Sequence, residues 1–345
     1  MAIVAQLVRA LDCGSKCRGF EPRRSPHLFP LLFLLLFPLG GVFMSWIQAL
    51  ILGLVQGLTE FLPVSSSAHL KLAKKFLGIL DGEHLLFFDL ICHAGTLMAL
   101  ILYLRRDIWQ VLKSPRQIAL FSFALAPLVP AYFLLKPLRV AASDPAYLGY
   151  FLMVTAALLF MAAQKRVGFA GTIAPLTETV DTLPMQTQRS CEQYEEAIPE
   201  RAKADEKDRF FEAAASPTKK YFNVLCIGIA QAFALIPGIS RSGSTIAAAR
   251  FCGWGWLNAA RFSFLLAVPT IMGGQLLETV KVLKGNSDAA GVSLSCYAAG
   301  FAAAFGLGWL GVRFVFWVYE KEKVRPFAWY CLGVGLLATA IFRYG

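Results

Sequence analysis

Apolar and polar positions separate along this chain on the scale of whole helices. From Met44 onward, apolar runs cover 46–62, 85–104, 118–135 and 147–163, then 221–236, 259–277, 292–318 and 327–342. Most approach the roughly 20 apolar residues that a membrane-spanning helix needs. Two stretches break the pattern. Residues 63–80 follow the first run and are more amphipathic, and residues 238–252 follow the fifth run and are rich in small and hydroxyl side chains.

The second series of runs repeats the first. Gly53 and Gln56 align with Gly228 and Gln231, and Pro63 and Ser66 align with Pro237 and Ser240 after a gap. Phe88, Thr96 and Met98 then align with Phe262, Thr270 and Met272. Residues 44–163 and 221–345 therefore read as two membrane repeats. The pairs 46–80 and 221–252 read as re-entrant hairpins, because non-helical backbone at membrane depth is tolerated only where it is buried or lines a cavity.

Between the repeats, 164–220 is polar and charge-mixed and holds Pro175, Pro184, Pro199 and Pro217. That composition reads as a mobile cytoplasmic loop without a catalytic role. Residues 1–43 look foreign to the rest: a basic leader precedes a short apolar stretch, as in a signal peptide or a signal anchor. The simpler expectation is a start read too early, with Met44 as the true first residue.

Composition strengthens the membrane reading. The chain is 57% apolar and 16% charged, with mean hydropathy +0.57; soluble domains lie near 45–50% and about 25%. The net charge of +11 does not indicate nucleic acid, because the Lys and Arg residues cluster between apolar runs. Clusters at Arg105, Arg106, Lys113 and Arg116, at Lys165, Arg166, Lys219 and Lys220, and at Lys321, Lys323 and Arg325 should be cytoplasmic. The turns 136–145 and 278–290 then face the opposite side, and the two repeats are inverted. Lys71, Lys74 and Lys75 fit this scheme poorly, since it places them outside. The eight cysteines are scattered and lack zinc-site spacing, so they read as small core residues. The expected fold is an all-α polytopic membrane protein: an inverted-topology repeat with two re-entrant hairpins plus about six transmembrane helices, and a site where the repeats meet.

Candidate chemistry concentrates at the two hairpin tips. The first reads GLVQGLTEFLPVSSSAH from Gly53 to His69. An ionisable residue within a membrane run is a functional hypothesis in itself. Glu60 and Gln56 share a helix face, and Glu60 could hold a divalent cation, orient water, shuttle a proton or pair with Arg241. Ser66 is a candidate nucleophile and His69 its base, three residues on. Asp89 and His93, four apart, either support the site or line its cavity. The second tip runs PGISRSGST from Pro237 to Thr245. Its small residues could present backbone N–H groups as an anion nest. Arg241 adds a planar fork matched to phosphate oxygens. Ser65, Ser240, Arg241, Ser242, Gly243 and Thr245 are the candidate phosphate-binding residues.

These two tips resemble the paired signatures of the undecaprenyl-diphosphatase family, also called bacitracin-resistance proteins. The first is similar at Gln56, Gly57, Glu60, Phe61, Leu62, Pro63, Ser65, Ser66 and His69; the second at Pro237, Gly238, Ser240, Arg241, Ser242, Gly243 and Thr245. Phe262 to Pro269 also looks familial, and the likeness covers essentially 44–345. Three features depart from it: Gln56 where many members have glutamate, Ala68 where glycine is commoner, and a longer 164–220 loop. The resemblance implies hydrolysis of undecaprenyl diphosphate to undecaprenyl phosphate and inorganic phosphate in the bacterial inner membrane. It implies a site opening to the outer side, a role in recycling the cell-wall lipid carrier, and bacitracin resistance. Expected partners are the polyprenyl diphosphate and membrane lipids. A divalent cation, Mg or Ca, is expected near Glu60 and Gln56, although Gln56 weakens any mechanism needing two carboxylates there. Water attack promoted by His69 or Glu60 competes with a Ser66 nucleophile. A polyprenyl-phosphate flippase is the alternative function. A two-histidine lipid phosphatase is disfavoured, because no His follows Ser240 and Arg241. Oligomeric state is not legible in the sequence.

Overall fold

The computed structural model describes residues 44–79, 83–165, 217–284 and 292–344. The expectations for 1–43 and for most of 164–220 lie outside the described residues. All regular structure among the described residues is helical. In chain order the first series comprises α1 (Trp46–Thr59), α2 (Ser66–Phe76), α3 (Glu83–Tyr103), α4 (Arg105–Lys113), α5 (Pro115–Leu125), α6 (Leu128–Leu134), α7 (Lys136–Ala142) and α8 (Leu148–Gln164). The second comprises α9 (Pro217–Phe233), α10 (Arg241–Phe251), α11 (Trp256–Lys284), α12 (Leu294–Glu320) and α13 (Arg325–Tyr344).

Local sequence accounts for the boundaries. Ser45 and Gln48 form a reciprocal capping box at the start of α1. Ser114 caps α5 with Pro115 at its first position, where the missing N–H costs nothing. The run 118–135, expected as one helix, breaks into α5 and α6. Pro127 and Pro130 sit there and cannot donate to the carbonyls one turn back. The basic turn after α3 is itself helical: α4 exposes Arg105 and Arg106 while Ile108 and Val111 pack on the core.

Among the described residues, six segments are long and apolar enough to span a membrane: Leu85–Tyr103, Pro115–Leu134, Pro145–Gln164, Trp256–Lys281, Leu294–Glu320 and Arg325–Arg343. This is a multi-pass membrane protein. α1 has 14 residues and α10 has 11. At about 1.5 Å per residue neither crosses a hydrocarbon layer of about 30 Å. Both belong to short pairs, α1–α2 and α9–α10, which is consistent with re-entrant hairpins.

The two series pack reciprocally. α1 lies along α12, and its counterpart α9 lies along α5, the counterpart of α12. α8 and α13, the last helix of each series, lie against each other, as do α3 and α11. That is the arrangement expected of two copies related by a pseudo-two-fold axis. Small residues permit it, as at helix interfaces in lipid generally. A methyl group on Gly53 would collide with the backbone carbonyl of Gly300, and one on Gly228 with that of Ala124. These are the two aligned glycines, one seated on α12 and the other on its counterpart α5. Gly53→Ala and Gly228→Ala are each expected to destabilise the fold by about 1–3 kcal/mol through overpacking. Thermal unfolding in detergent checks this; unchanged midpoints would mean that the helices do not approach this closely.

The main core gathers Phe121, Trp256, Phe262, Phe264, Phe316 and Tyr319. Phe61, from the first tip, inserts into it fully buried and meets Phe264 edge-on at 6.0 Å. The three lysines that fitted the charge scheme poorly have partners. Lys74 is buried and paired with Asp89 at 2.7 Å. Lys71 donates to the Ser143 carbonyl, and Lys75 lies over the Phe342 ring. These contacts, rather than the cytoplasmic charge bias, account for them.

Candidate active site

The first tip is built on the end of α1. Glu60 is the C-cap residue of α1 and is 8% exposed. Phe61, Pro63 and Val64 bury the turn that follows. Ser65 then adopts φ +67°, the left-handed region, before α2 begins at Ser66. A non-glycine residue there costs of order 1–3 kcal/mol and persists only where its surroundings enforce it. His69 Nδ1 lies 2.8 Å from the Ser65 carbonyl and so clamps that residue. Its Nε2 meets the Tyr330 hydroxyl at 2.9 Å, and the two rings stack.

The second tip turns through Gly238 at φ +95°, where a side chain would run into Phe151. Ser240 caps α10: its Oγ accepts from Gly243 N at 3.1 Å, and its own N–H donates to Thr155 Oγ1 at 3.0 Å. Arg241 is therefore the first residue of α10, as Ser66 is of α2. Two helix N-termini, with their positive dipole ends, converge on one place. Ser65 makes no side-chain cap at α2. At α10 the Ser240 cap takes only the Gly243 N–H, so both helix starts keep N–H groups without a side-chain cap.

The tips touch. Arg241 Nη2 donates to Glu60 Oε1 at 2.9 Å, and Ser242 Oγ donates to the Leu62 carbonyl at 3.1 Å. Glu60 Oε2 accepts from Ser66 Oγ at 2.7 Å and from Gln56 Nε2 at 2.9 Å. Between the tips lies a cavity of about 120 Å³ lined by Glu60, Ser65, Ser66, Ser67, Ser240, Arg241 and Ser242. The buried Glu60–Arg241 pair is neutral, yet each member still faces the cavity.

Other residues sit off the cavity wall. Thr245 bonds the Arg241 carbonyl and the Ser263 hydroxyl. The Gly243 N–H is taken by Ser240. His69 is turned toward Tyr330, so the partner of the Ser66 hydroxyl is Glu60. Asp89 faces Lys74. His93 Nε2 lies 3.9 Å from Glu60 Oε2, with Nδ1 2.7 Å from the Asp89 carbonyl. Sequence reasoning missed Tyr330 and Thr155. Each is a lone hydroxyl in an apolar run, and only the fold brings it to a tip.

α3 brings His93 Nε2 within 3.9 Å of the Glu60 carboxylate. His93→Ala is expected to lower kcat about tenfold, with His93→Gln recovering part of the rate. An unchanged kcat in His93→Ala would reduce His93 to a wall residue. General acid–base assistance is typically larger, on the order of 100-fold, so a tenfold loss suits a group that acts through Glu60.

Residues 49–337 match the family described as bacitracin resistance protein BacA. The chain belongs to that family. It is 36% identical over 299 residues to an undecaprenyl-diphosphatase of Protochlamydia amoebophila, covering 86% of this chain and 98% of that one. It is 33% identical to one from Carboxydothermus hydrogenoformans, covering 85% and 97%, and 35% identical to one from Maricaulis maris, covering 87% and 100%. The matched region holds both tips and leaves out all of 1–43. Gln56, Glu60, Ser66, His69 and Arg241 all fall within the part shared with the family.

Proposed function

We propose that this protein hydrolyses undecaprenyl diphosphate to undecaprenyl phosphate and inorganic phosphate, and so recycles the lipid carrier of cell-wall synthesis and confers bacitracin resistance. Family membership supports the activity. The observation that carries it to this chain's own residues is the contact of Ser66 and Arg241 with one buried carboxylate, Glu60, at the meeting of two helix N-termini. A substrate with an apolar tail and a diphosphate head needs an anion site that is reachable from lipid. Two short hairpins meeting inside a membrane-spanning bundle provide one.

In the proposed reaction, Arg241 and the α2 N-terminus hold the terminal phosphoryl oxygens. Ser66 Oγ attacks the terminal phosphorus as its proton passes to Glu60. An O–P bond forms at Ser66, the bridging P–O bond breaks, and undecaprenyl phosphate leaves with the proton that Glu60 passes to its bridging oxygen. Glu60, again a carboxylate, takes a proton from water as that water attacks the phosphoserine; the proton goes on to Ser66 Oγ, releasing phosphate and regenerating Ser66. Positioning and electrostatics supply most of the rate in phosphoryl transfer. His69 keeps Ser65 in its strained conformation and thereby aims Ser66.

A divalent cation, Mg or Ca, fits this donor set only together with the substrate. Among the described residues no group of three or more His, Cys, Asp or Glu side chains gathers. Gln56 Oε1, however, is buried without a hydrogen-bond partner beside the Glu60 carboxylate. Mg in particular is commonly held by one or two carboxylates plus substrate phosphates. Glu60 and Gln56 would hold the cation, which would neutralise diphosphate charge. The protein belongs in the bacterial inner membrane, with the site opening to the outer face. The basic clusters at Arg105–Arg106 and Lys321–Arg325 support that orientation.

The test is phosphate release from a polyprenyl diphosphate by purified protein in detergent, with cation present. Release by wild type is expected. Its absence, or movement of lipid phosphate across vesicles without hydrolysis, would replace the enzyme with a transporter.

A further inference from the structure

A second cavity, of about 450 Å³, lies behind the second tip. One turn walls both cavities: Ala234, Ile239 and Ser240 face the first, while Leu235 and Pro237 face the second. The opposite wall is one face of α7, where Lys136, Arg139, Val140 and Ser143 recur at helical spacing, joined by Phe133 of α6 and Lys281 of α11. Three cations thus rim a largely apolar space whose volume is ordinary for a small-molecule site.

The cations are arranged rather than scattered. The Arg139 guanidinium is held 4.2 Å over the Tyr132 ring, and its Nη2 donates to the Tyr132 carbonyl at 2.9 Å. Its Nε is buried and has no hydrogen-bond partner. Lys281 is paired with Glu278 at 2.6 Å, which leaves the rim net positive. Lys71 adds a fourth charge nearby through the Ser143 carbonyl. All of these belong to the end of the bundle opposite the basic clusters at Arg105–Arg106 and Lys321–Arg325, in turns where no positive bias is expected.

We infer that this cavity is a second phosphate-binding site, which takes the phosphorylated end of an isoprenyl lipid or the free phosphate beside the reaction cavity. The inference rests on the proposed phosphatase reading and deepens it. A basic pocket between membrane helices is suited to a lipid headgroup. Arginine and lysine match phosphate, and Phe133, Val140 and Leu235 match the first isoprene units. A substrate or product parked here is separated from Arg241 only by the second tip.

The experiment is calorimetric titration of the full chain in detergent, carrying Arg241→Ala so that the reaction cavity loses its anion fork. Farnesyl monophosphate, inorganic phosphate and farnesol are the three probes. Farnesyl monophosphate is expected to bind. Adding Lys136→Ala, Arg139→Ala and Lys281→Ala should weaken it at least tenfold, while Lys136→Arg, Arg139→Lys and Lys281→Arg should preserve it. Binding of farnesyl monophosphate without inorganic phosphate assigns the site to the lipid headgroup; binding of both with similar affinity assigns it to phosphate itself. Equal affinity for farnesol, or no weakening by the triple alanine variant, overturns the inference. Should Arg241→Ala fail to fold, the triple alanine variant in the wild-type background decides. KM for a polyprenyl diphosphate should rise at least fivefold with kcat within twofold, and an unchanged KM overturns the inference. Failure of wild type to release phosphate would sink the enzyme reading while leaving the titration free to stand.

Discussion

Replacing Arg241 with alanine is expected to lower kcat for phosphate release by on the order of 100- to 1,000-fold, the usual cost of removing one preorganised donor to developing negative charge, about 2.7–4 kcal/mol. Arg241 is the single cation on the wall of the reaction cavity, and its Nη1 is buried without a hydrogen-bond partner while Nη2 holds Glu60. The fork therefore has one arm on the carboxylate and another unclaimed by protein. Arg241→Lys keeps the charge but not the fork, and should recover only part of the rate. The same change also strands Glu60 as an unpaired buried charge. Breaking such a pair typically costs about 3–5 kcal/mol, so the thermal midpoint of Arg241→Ala should fall. Adding Glu60→Gln removes that charge and should restore stability without restoring activity. A variant that kept more than a tenth of wild-type activity would remove Arg241 from the chemistry.

The sequence carried the long elements because lipid imposes one rule on all of them: a run of apolar residues, bounded by basic turns. It also carried the pairing of the tips, since aligned Gly53 and Gly228 mark equivalent close approaches in the two series. Other features depended on geometry that no local pattern encodes. Glu60, Ser66 and Arg241 were legible as site residues, but which of them touch was not. The spacing of Ser66 and His69 is compatible with a nucleophile–base pair, yet the positive φ of Ser65 turns His69 toward Tyr330 and leaves Ser66 to Glu60. At the second tip the Ser240 hydroxyl takes the Gly243 N–H, and the Thr245 hydroxyl is engaged with that of Ser263. His93 stands out in the sequence as a polar residue in an apolar run, but its approach to Glu60 comes from the packing of α3 beside the first tip. Tyr330 lies 261 residues from His69, and nothing short of the fold connects them.

Ser66→Ala is expected to be the more severe lesion, lowering kcat by 1,000-fold or more and leaving substrate binding nearly intact. A nucleophile acts only in the transition state, so its loss lowers kcat and kcat/KM together. Rapid quenching of wild type with a polyprenyl diphosphate labelled at the terminal phosphorus should trap label on the protein, and Ser66→Ala should trap none. His69→Ala should also lose rate, because Ser65 relaxes and Ser66 loses its aim, but it should still trap label at a slower pace. Tyr330→Phe removes one hydroxyl from the far side of that clamp, and should cost less than His69→Ala. The competing chemistry, in which Glu60 activates water directly, makes the opposite forecast. Ser66 would then only orient Glu60 through its 2.7 Å hydrogen bond, and its removal would cost about one ordinary hydrogen bond to a charged group, roughly 1.5–3 kcal/mol, or about 10- to 150-fold. No label would be trapped in either protein. A loss confined to that range, with no trapped phosphoserine in wild type, would transfer the nucleophile from Ser66 to water and leave Glu60 as its base.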